Sequence, residues 1–155
     1  MSVKDQKLTV SQRLVGVAEE VYRRLFWVIS TLGLPPSFIV RLEIAGRRSG
    51  RVHSTILITA DHEGERYLVS VLGEESDWVR NVRAADGNAA IRHGRRQGVR
   101  LEEVQPERRA PILKAYLKWA LGARAVLQLG PNAPLEKFQR IAVDHPVFRI
   151  VPNDP

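Results

Sequence analysis

The chain has no cysteine among its 155 residues, which excludes disulfides, thiolate nucleophiles and cysteine-ligated metal centres. That composition suits a reducing cytoplasm. Aromatic residues make up only 6%, and the basic residues are scattered rather than gathered on one helix face between stacking rings, so no nucleic-acid partner is expected. There is no long hydrophobic run. Leu25 to Val40 is free of charge but carries Gly33, Pro35 and Pro36, and it is shorter than the roughly 20 residues a spanning helix needs. The start, Met1 to Lys7, is polar, and no secretory signal is expected from it. Neither Gly46 to Gly50 nor Gly94 to Gly98 has the spacing of a nucleotide-binding glycine loop. The four histidines, His53, His62, His93 and His145, lack metal-ligand spacing, so no metal is expected. His62 and His145 are read as solvated.

What the chain does have is positive charge. Lys and Arg number 24 against 17 acids, a formal net charge of +7, which favours an anionic partner. Hydrophobic residues at 44% are enough for a folded core.

The residue pattern predicts an α+β chain without internal repeats. Leu14, Ala18, Val21, Leu25, Val28 and Leu32 recur at helical spacing and form an apolar stripe. Burial in a core is the preferred account of the uncharged Leu25–Val40 stretch, which overlaps the stripe, and a surface-lying amphipathic helix is the other. Strands are predicted over Phe38–Ile44, His53–Ala60 and Glu65–Val71, the last two joined by the turn Asp61-His62-Glu63-Gly64. A short helix follows with Ser76 at its N-cap and its end near Asp86-Gly87. A hairpin over Ala89–His93 and Val99–Val104 is expected to cross a solvated basic turn, Gly94 to Gly98. Helices are predicted over Glu107–Leu121, opened by Pro106, and over Pro134–Ala142, and a last strand over Val147–Val151.

Two segments carry the candidate chemistry. The first, Gly46-Arg47-Arg48-Ser49-Gly50-Arg51, offers an anion backbone N–H groups, a hydroxyl and guanidinium forks in one turn. The alternative is a solvated hairpin tip. The second runs from Leu68 to Arg83, a strand that leaves through Gly73 into the helix bearing Trp78, Arg80 and Asn81. Trp78 either covers a ligand or packs on Val82 one turn along, while Arg80 and Arg83 share a face and extend the positive surface. Glu74 and Glu75 precede that helix and suit its dipole. His53 and Thr55 share one side of their strand, which assigns Ser54, Ile56 and Ile58 to the other side, taken as the barrel interior.

In order along the chain, Leu42-Glu43-Ile44, the Gly46–Gly50 turn, the strand from His53, Leu68-Val69-Ser70, Trp78-Val79-Arg80-Asn81-Val82 and Asp144-His145-Pro146-Val147-Phe148-Arg149-Ile150 resemble the deazaflavin-dependent nitroreductase family. The resemblance spans about residues 38 to 151. It implies a split β-barrel related to the FMN-binding barrels, with about six mainly antiparallel strands and flanking helices. Residues 1–155 would form a single domain, of which 1–37 is the N-terminal helix and linker. It also implies coenzyme F420 as cofactor, with hydride passing between it and an electron-poor small molecule such as a quinone or nitro compound.

By that resemblance Arg47, Arg48, Ser49 and Arg51 would meet the coenzyme's anionic tail. His53 and Thr55 would lie beside its ring, Ser70, Val71, Leu72 and Gly73 would lay backbone against it, and Trp78, Arg80 and Asn81 would stand near its phosphate. The absence of a side chain at Gly73 would allow that approach. Tyr116 is a candidate proton donor, with core packing the preferred account. A cytoplasmic location, a homodimer and peripheral membrane contact through the N-terminal helix are compatible with the same picture. The chain departs from the family pattern at Glu75-Ser76-Asp77, where a basic residue is expected. FMN in the same fold, or a non-catalytic carrier of haem or a lipid-like ligand, are the alternatives.

Overall fold

A computed structural model describes residues 3–154, with side chains from Gly16 onward. Its strands are β1 (Ile39–Ala45), β2 (Val52–His62), β3 (Glu65–Val69), β4 (Asn88–His93), β5 (Arg95–Glu103) and β6 (Val147–Pro152). The helices are α1 (Val3–Leu32), α2 (Asp77–Ala84), α3 (Ala110–Tyr116), α4 (Leu121–Leu127) and α5 (Leu135–Ile141). Short loops dictate antiparallel neighbours. Glu63 and Gly64 take φ of 49° and 76°, the left-handed pair that matches strand twist in a two-residue hairpin. The strands close in the order β1-β2-β3-β6-β5-β4, antiparallel at every seam.

Register decides which side chains fill the barrel, because residues directly opposite share a face. Leu42 lies opposite Thr55 and Ile91, Leu68 opposite Phe148, and Leu101 opposite Ile150. These positions pack together inside, and Val79 and Val82 of α2 join the same cluster at one end. The outward residues Ala60, Tyr67 and Val69 form a second cluster with Ile112, Leu113 and Leu117 from the α3 region and Phe138 of α5.

That register overturns one expectation. His53 and Thr55 sit opposite Ile44 and Leu42 and so belong to the interior side. Ser54, Ile56 and Ile58 face outward, and Ile58 packs against the outer cluster beside α3. Another feature of the barrel positions the site. β3 pairs with β2 only from Thr59 to His62, so residues 52–58 of β2 hold β1 on one edge and leave the other edge free.

Three further expectations are corrected. The predicted Glu107–Leu121 helix is broken. A 3-10 turn spans Pro106–Arg108, α3 starts at Ala110, and α4 follows. Pro111 has no N–H to donate and belongs in a first turn, while the Arg109 side chain is drawn inward to the carbonyls of Val104 and Ala142. The apolar stripe of α1 is not buried: Val21 is 58%, Leu25 50% and Leu32 65% exposed. Leu14 lies outside the residues whose side chains are described. The helix docks instead through Ile29 and Ser30 and over Arg41 of β1, whose guanidinium carbon stands 3.9 Å from the centre of the Trp27 ring. Among the described residues no helix is long and apolar enough to cross a membrane.

The basic segment after Gly94 is strand rather than solvated turn. Arg92 and Arg96 converge on Glu43 from the neighbouring strands. Burial pushes the Glu43 carboxyl up, but hydrogen bonds from Arg96 and Arg92 outweigh it and hold the group below its ordinary range.

Candidate active site

A cleft of about 860 Å³ opens along the free edge of β2. Because that edge is unpaired, the cleft reaches residues on both faces of the strand: His53, Thr55 and Leu57 on one, Ser54, Ile56 and Ile58 on the other. The Gly46–Ser49 part of the turn and the start of α2 contribute to the lining, as do Phe26 of α1, Val71, Leu72 and Tyr116.

The turn is closed by its own backbone. Gly46 N donates to Arg51 O at 2.7 Å and Gly50 N to Gly46 O at 2.9 Å. Gly50 takes φ +70°, a conformation that favours glycine. At Gly46 the constraint is a close approach: a Cβ there would lie 2.6 Å from the His53 ring. Asn81 ties the turn to α2. Its buried Oδ1 accepts the backbone N–H of Arg47 at 3.1 Å and Arg47 Nη1 at 2.9 Å. Ser49 Oγ accepts the backbone N–H of Arg51 at 3.2 Å, which leaves its own O–H to donate.

Of the expected contact residues, Arg47, Arg48, Ser49, His53, Thr55, Val71, Leu72, Trp78 and Asn81 line the cleft. Arg51, Ser70, Gly73 and Arg80 do not. Arg51 is exposed at the turn's foot. Ser70 is buried, with its hydroxyl 2.7 Å from the Gly73 carbonyl and 3.0 Å from Ser76 Oγ. Gly73 is glycine for another reason than ligand approach: its φ is +87°, and a Cβ would lie 3.0 Å from the Asp144 carbonyl oxygen. Ser76 does occupy the N-cap of α2, yet its side chain makes no capping bond. His145 is half-buried rather than solvated, with Nδ1 3.1 Å from Ser70 O, and His62 is also half-buried.

Trp78 is read either as a ligand cover or as packing on Val82, and it lies against the barrel cluster that holds Val82. One part borders the cleft, and the ring packs edge-on against Phe148 with centroids 5.6 Å apart. Arg80 and Arg83 do not extend a free positive surface. Arg80 is paired with Glu75, and Arg83 holds Glu74 and Glu103 at 2.5 Å each. The hydrogen bond from Arg83 outweighs burial and holds the Glu74 carboxyl below its ordinary range. Arg48 and Arg51 have no carboxylate within ion-pair distance among the described residues.

Sequence reasoning did not single out Phe26, Ile56 or Asp77 as lining residues. Phe26 belongs to a helix whose stripe pointed elsewhere, and Ile56 was assigned to the wrong face. Asp77 showed only as a departure from the family pattern. Tyr116 is 6% exposed and borders the cleft, and its phenol makes no hydrogen bond to another described residue. Burial pushes its phenol up to about 12. Among the described residues no cluster of His, Asp or Glu could hold a metal ion.

The model of the F420H(2)-dependent quinone reductase family matches residues 17–122, well over half of the chain. The chain belongs to that family. An F420H(2)-dependent quinone reductase is an oxidoreductase, and its cofactor is the deazaflavin coenzyme F420, so the FMN and carrier alternatives give way. No curated protein matches the sequence.

Solved structures agree on the fold at low identity. A protein of unknown function from Agrobacterium tumefaciens aligns with TM-score 0.56 at 14% identity, over 79% of this chain and 51% of that one. A conserved hypothetical protein from Mycobacterium tuberculosis aligns with TM-score 0.52 at 18% identity, over 82% and 79%. A chain described as a domain-swapped dimer gives 0.54 at 14%, over 90% and 98%. The fold shared with these structures is the six-stranded split barrel described above.

The residues present fit the coenzyme. An aromatic headgroup suits the apolar side chains of the lining, among them Leu57, Val71 and Trp78, and an anionic tail suits the turn, where Arg48 and Arg51 have no ion pair among the described residues.

Proposed function

We propose that the protein reduces a quinone-type acceptor, with the deazaflavin ring bound on the inner side of the β2 edge and the acceptor over its outer side. The observation that supports this is the cleft's polarity. Its lining combines the cations Arg47 and Arg48 with the apolar side chains of Phe26, Ile56 and Ile58 and the ring of Tyr116. Bound and reduced, F420 supplies a hydride.

The chain's own residues position and shield. Arg48 and Arg51 hold the tail, and His53 and Thr55 orient the ring edge by hydrogen bonds. Leu57, Val71 and Trp78 exclude water from the reacting face. The apolar share of the lining favours a quinone over a polar nitro compound. The domain-swapped relative supports a homodimer as the working form.

The test is a fluorescence titration with oxidised F420, FMN as comparator, on the wild-type protein and on Arg48→Ala/Arg51→Ala. F420 is expected to bind in preference to FMN, and the double substitution to weaken F420 by about tenfold or more. Equal affinity for both ligands, or an unaffected double variant, would overturn this assignment of the site.

A further inference from the structure

Arg47 of the turn and Arg80 and Arg83 of α2 are each paired with a carboxylate at or just before the start of the helix. Arg47 Nη2 donates to Asp77 Oδ1 at 3.2 Å, Arg80 is paired with Glu75, and Arg83 Nη1 lies 2.5 Å from Glu74 Oε2. Glu74 and Glu75 come from the short loop that enters α2, and Asp77 is the first residue of the helix. Asp77 and Glu75 are each 83% exposed in their side chains, so these pairs are surface pairs that an incoming anion can compete with.

We propose that Glu75 and Asp77 form a carboxylate lock on Arg80 and Arg47 and thereby set the tail selectivity of the site. This rests on the reading above that the cleft takes F420. With the lock engaged, Arg80 is held by Glu75 and one guanidinium nitrogen of Arg47 by Asp77. The tail's phosphodiester then meets Arg48 and Arg51 alone. To recruit Arg47 or Arg80 it must displace a carboxylate that also repels it. Each further glutamate on the tail adds charge that the same loop opposes. The site therefore selects its ligand by the aromatic headgroup, and the length of the tail counts for little. Arg83 takes no part, because Glu103 holds it independently of the loop.

Two measurements test this. In the first, oxidised F420 carrying short and long glutamate tails, and the tail-free deazaflavin chromophore, are titrated into wild type, Glu75→Gln, Asp77→Asn and the double variant. Each substitution is expected to tighten F420 by about threefold, and the pair by about tenfold. The long tail should gain more than the short one, and the tail-free chromophore should not change. Tightening of all ligands alike, or weaker F420 binding by Asp77→Asn, would overturn the lock.

The second measurement does not depend on the cofactor. Inorganic pyrophosphate is titrated while the Nε–Hε resonances of Arg47 and Arg80 are followed by NMR. The lock requires tighter pyrophosphate binding in the variants than in wild type, and the same constant in all four proteins overturns it. If F420 fails to bind wild type while pyrophosphate follows the lock, the functional reading falls and the lock stands.

Discussion

At the scale of the residue, Tyr116 joins packing and chemistry in one side chain. Burial raises its phenol to about 12, against about 10 for the unfolded chain. The folded protein then holds the proton more tightly than the unfolded one, so this contribution is complete below about pH 10 and is lost as pH climbs toward 12. The span corresponds to about 3 kcal/mol. Urea midpoints of wild type and Tyr116→Phe should therefore run parallel up to about pH 9. Above that the wild type should fall away faster, and parallel curves to pH 12 would show the phenol to be unshifted. Much of the candidate cleft's lining was legible in the sequence. Arginine, serine and glycine types in one short turn mark a candidate anion site wherever the turn lies. The partners of those arginines were not legible, because pairing of Arg47 with Asp77 spans thirty positions and depends on how α2 is docked. The facing of Ser54, Ile56 and Ile58 was misassigned for a related reason. Period-two alternation separates two faces but cannot say which is inside when only one edge of the strand is paired.

At the scale of the element, the join between α2 and β4 carries a hard constraint. Gly87 takes φ +79°, and a Cβ there would lie 2.4 Å from the Leu101 carbonyl oxygen of β5. The same stretch anchors the strand, since Leu101 N donates to Gly87 O at 2.8 Å. Neither backbone can yield without breaking that seam. Gly87→Ala should cost about 3 kcal/mol, from the left-handed conformation and the clash together. Gly122→Ala, where nothing lies within 4 Å of the added Cβ, serves as control and should leave the denaturation midpoint within about 0.5 kcal/mol of wild type. Equal midpoints for Gly87→Ala and Gly122→Ala would mean that the β4–β5 side of the barrel is more pliable than its register suggests. Strands were the elements the sequence specified best, because β-branched runs bounded by Gly, Asn and Asp define them locally. Helix limits around Pro106 and Pro111 were misread. Two prolines five apart support either one helix entered at Pro106 or a 3-10 turn followed by a fresh start, and the choice rests on Arg109 reaching the carbonyls of Val104 and Ala142. The face of α1 was also beyond reach, because its docking depends on Arg41, a charged residue on an outward strand position that periodicity assigns to solvent.

At the scale of the whole molecule, two electrostatic effects act on one ligand and can be separated. The formal net charge of +7 is spread over the surface and attracts an anion from a distance, which raises the association rate and is screened by salt over a Debye length of about 10 Å at 0.1 M. The pairs Arg47–Asp77 and Arg80–Glu75 act at contact. They alter how firmly the bound tail is held, which belongs to the dissociation rate. Stopped-flow binding of F420 should therefore show an association rate that falls by about fivefold to tenfold between 0.05 and 0.5 M salt, with a much smaller change in dissociation. Glu75→Gln/Asp77→Asn alters the total charge by only two units and leaves the distant field nearly intact. Its salt slope for association should match that of wild type, while its dissociation is slower. A salt-independent association rate would mean that the excess positive charge is turned away from the cleft. A double variant that differs from wild type only in association would move the acidic loop from the contact set to the steering field.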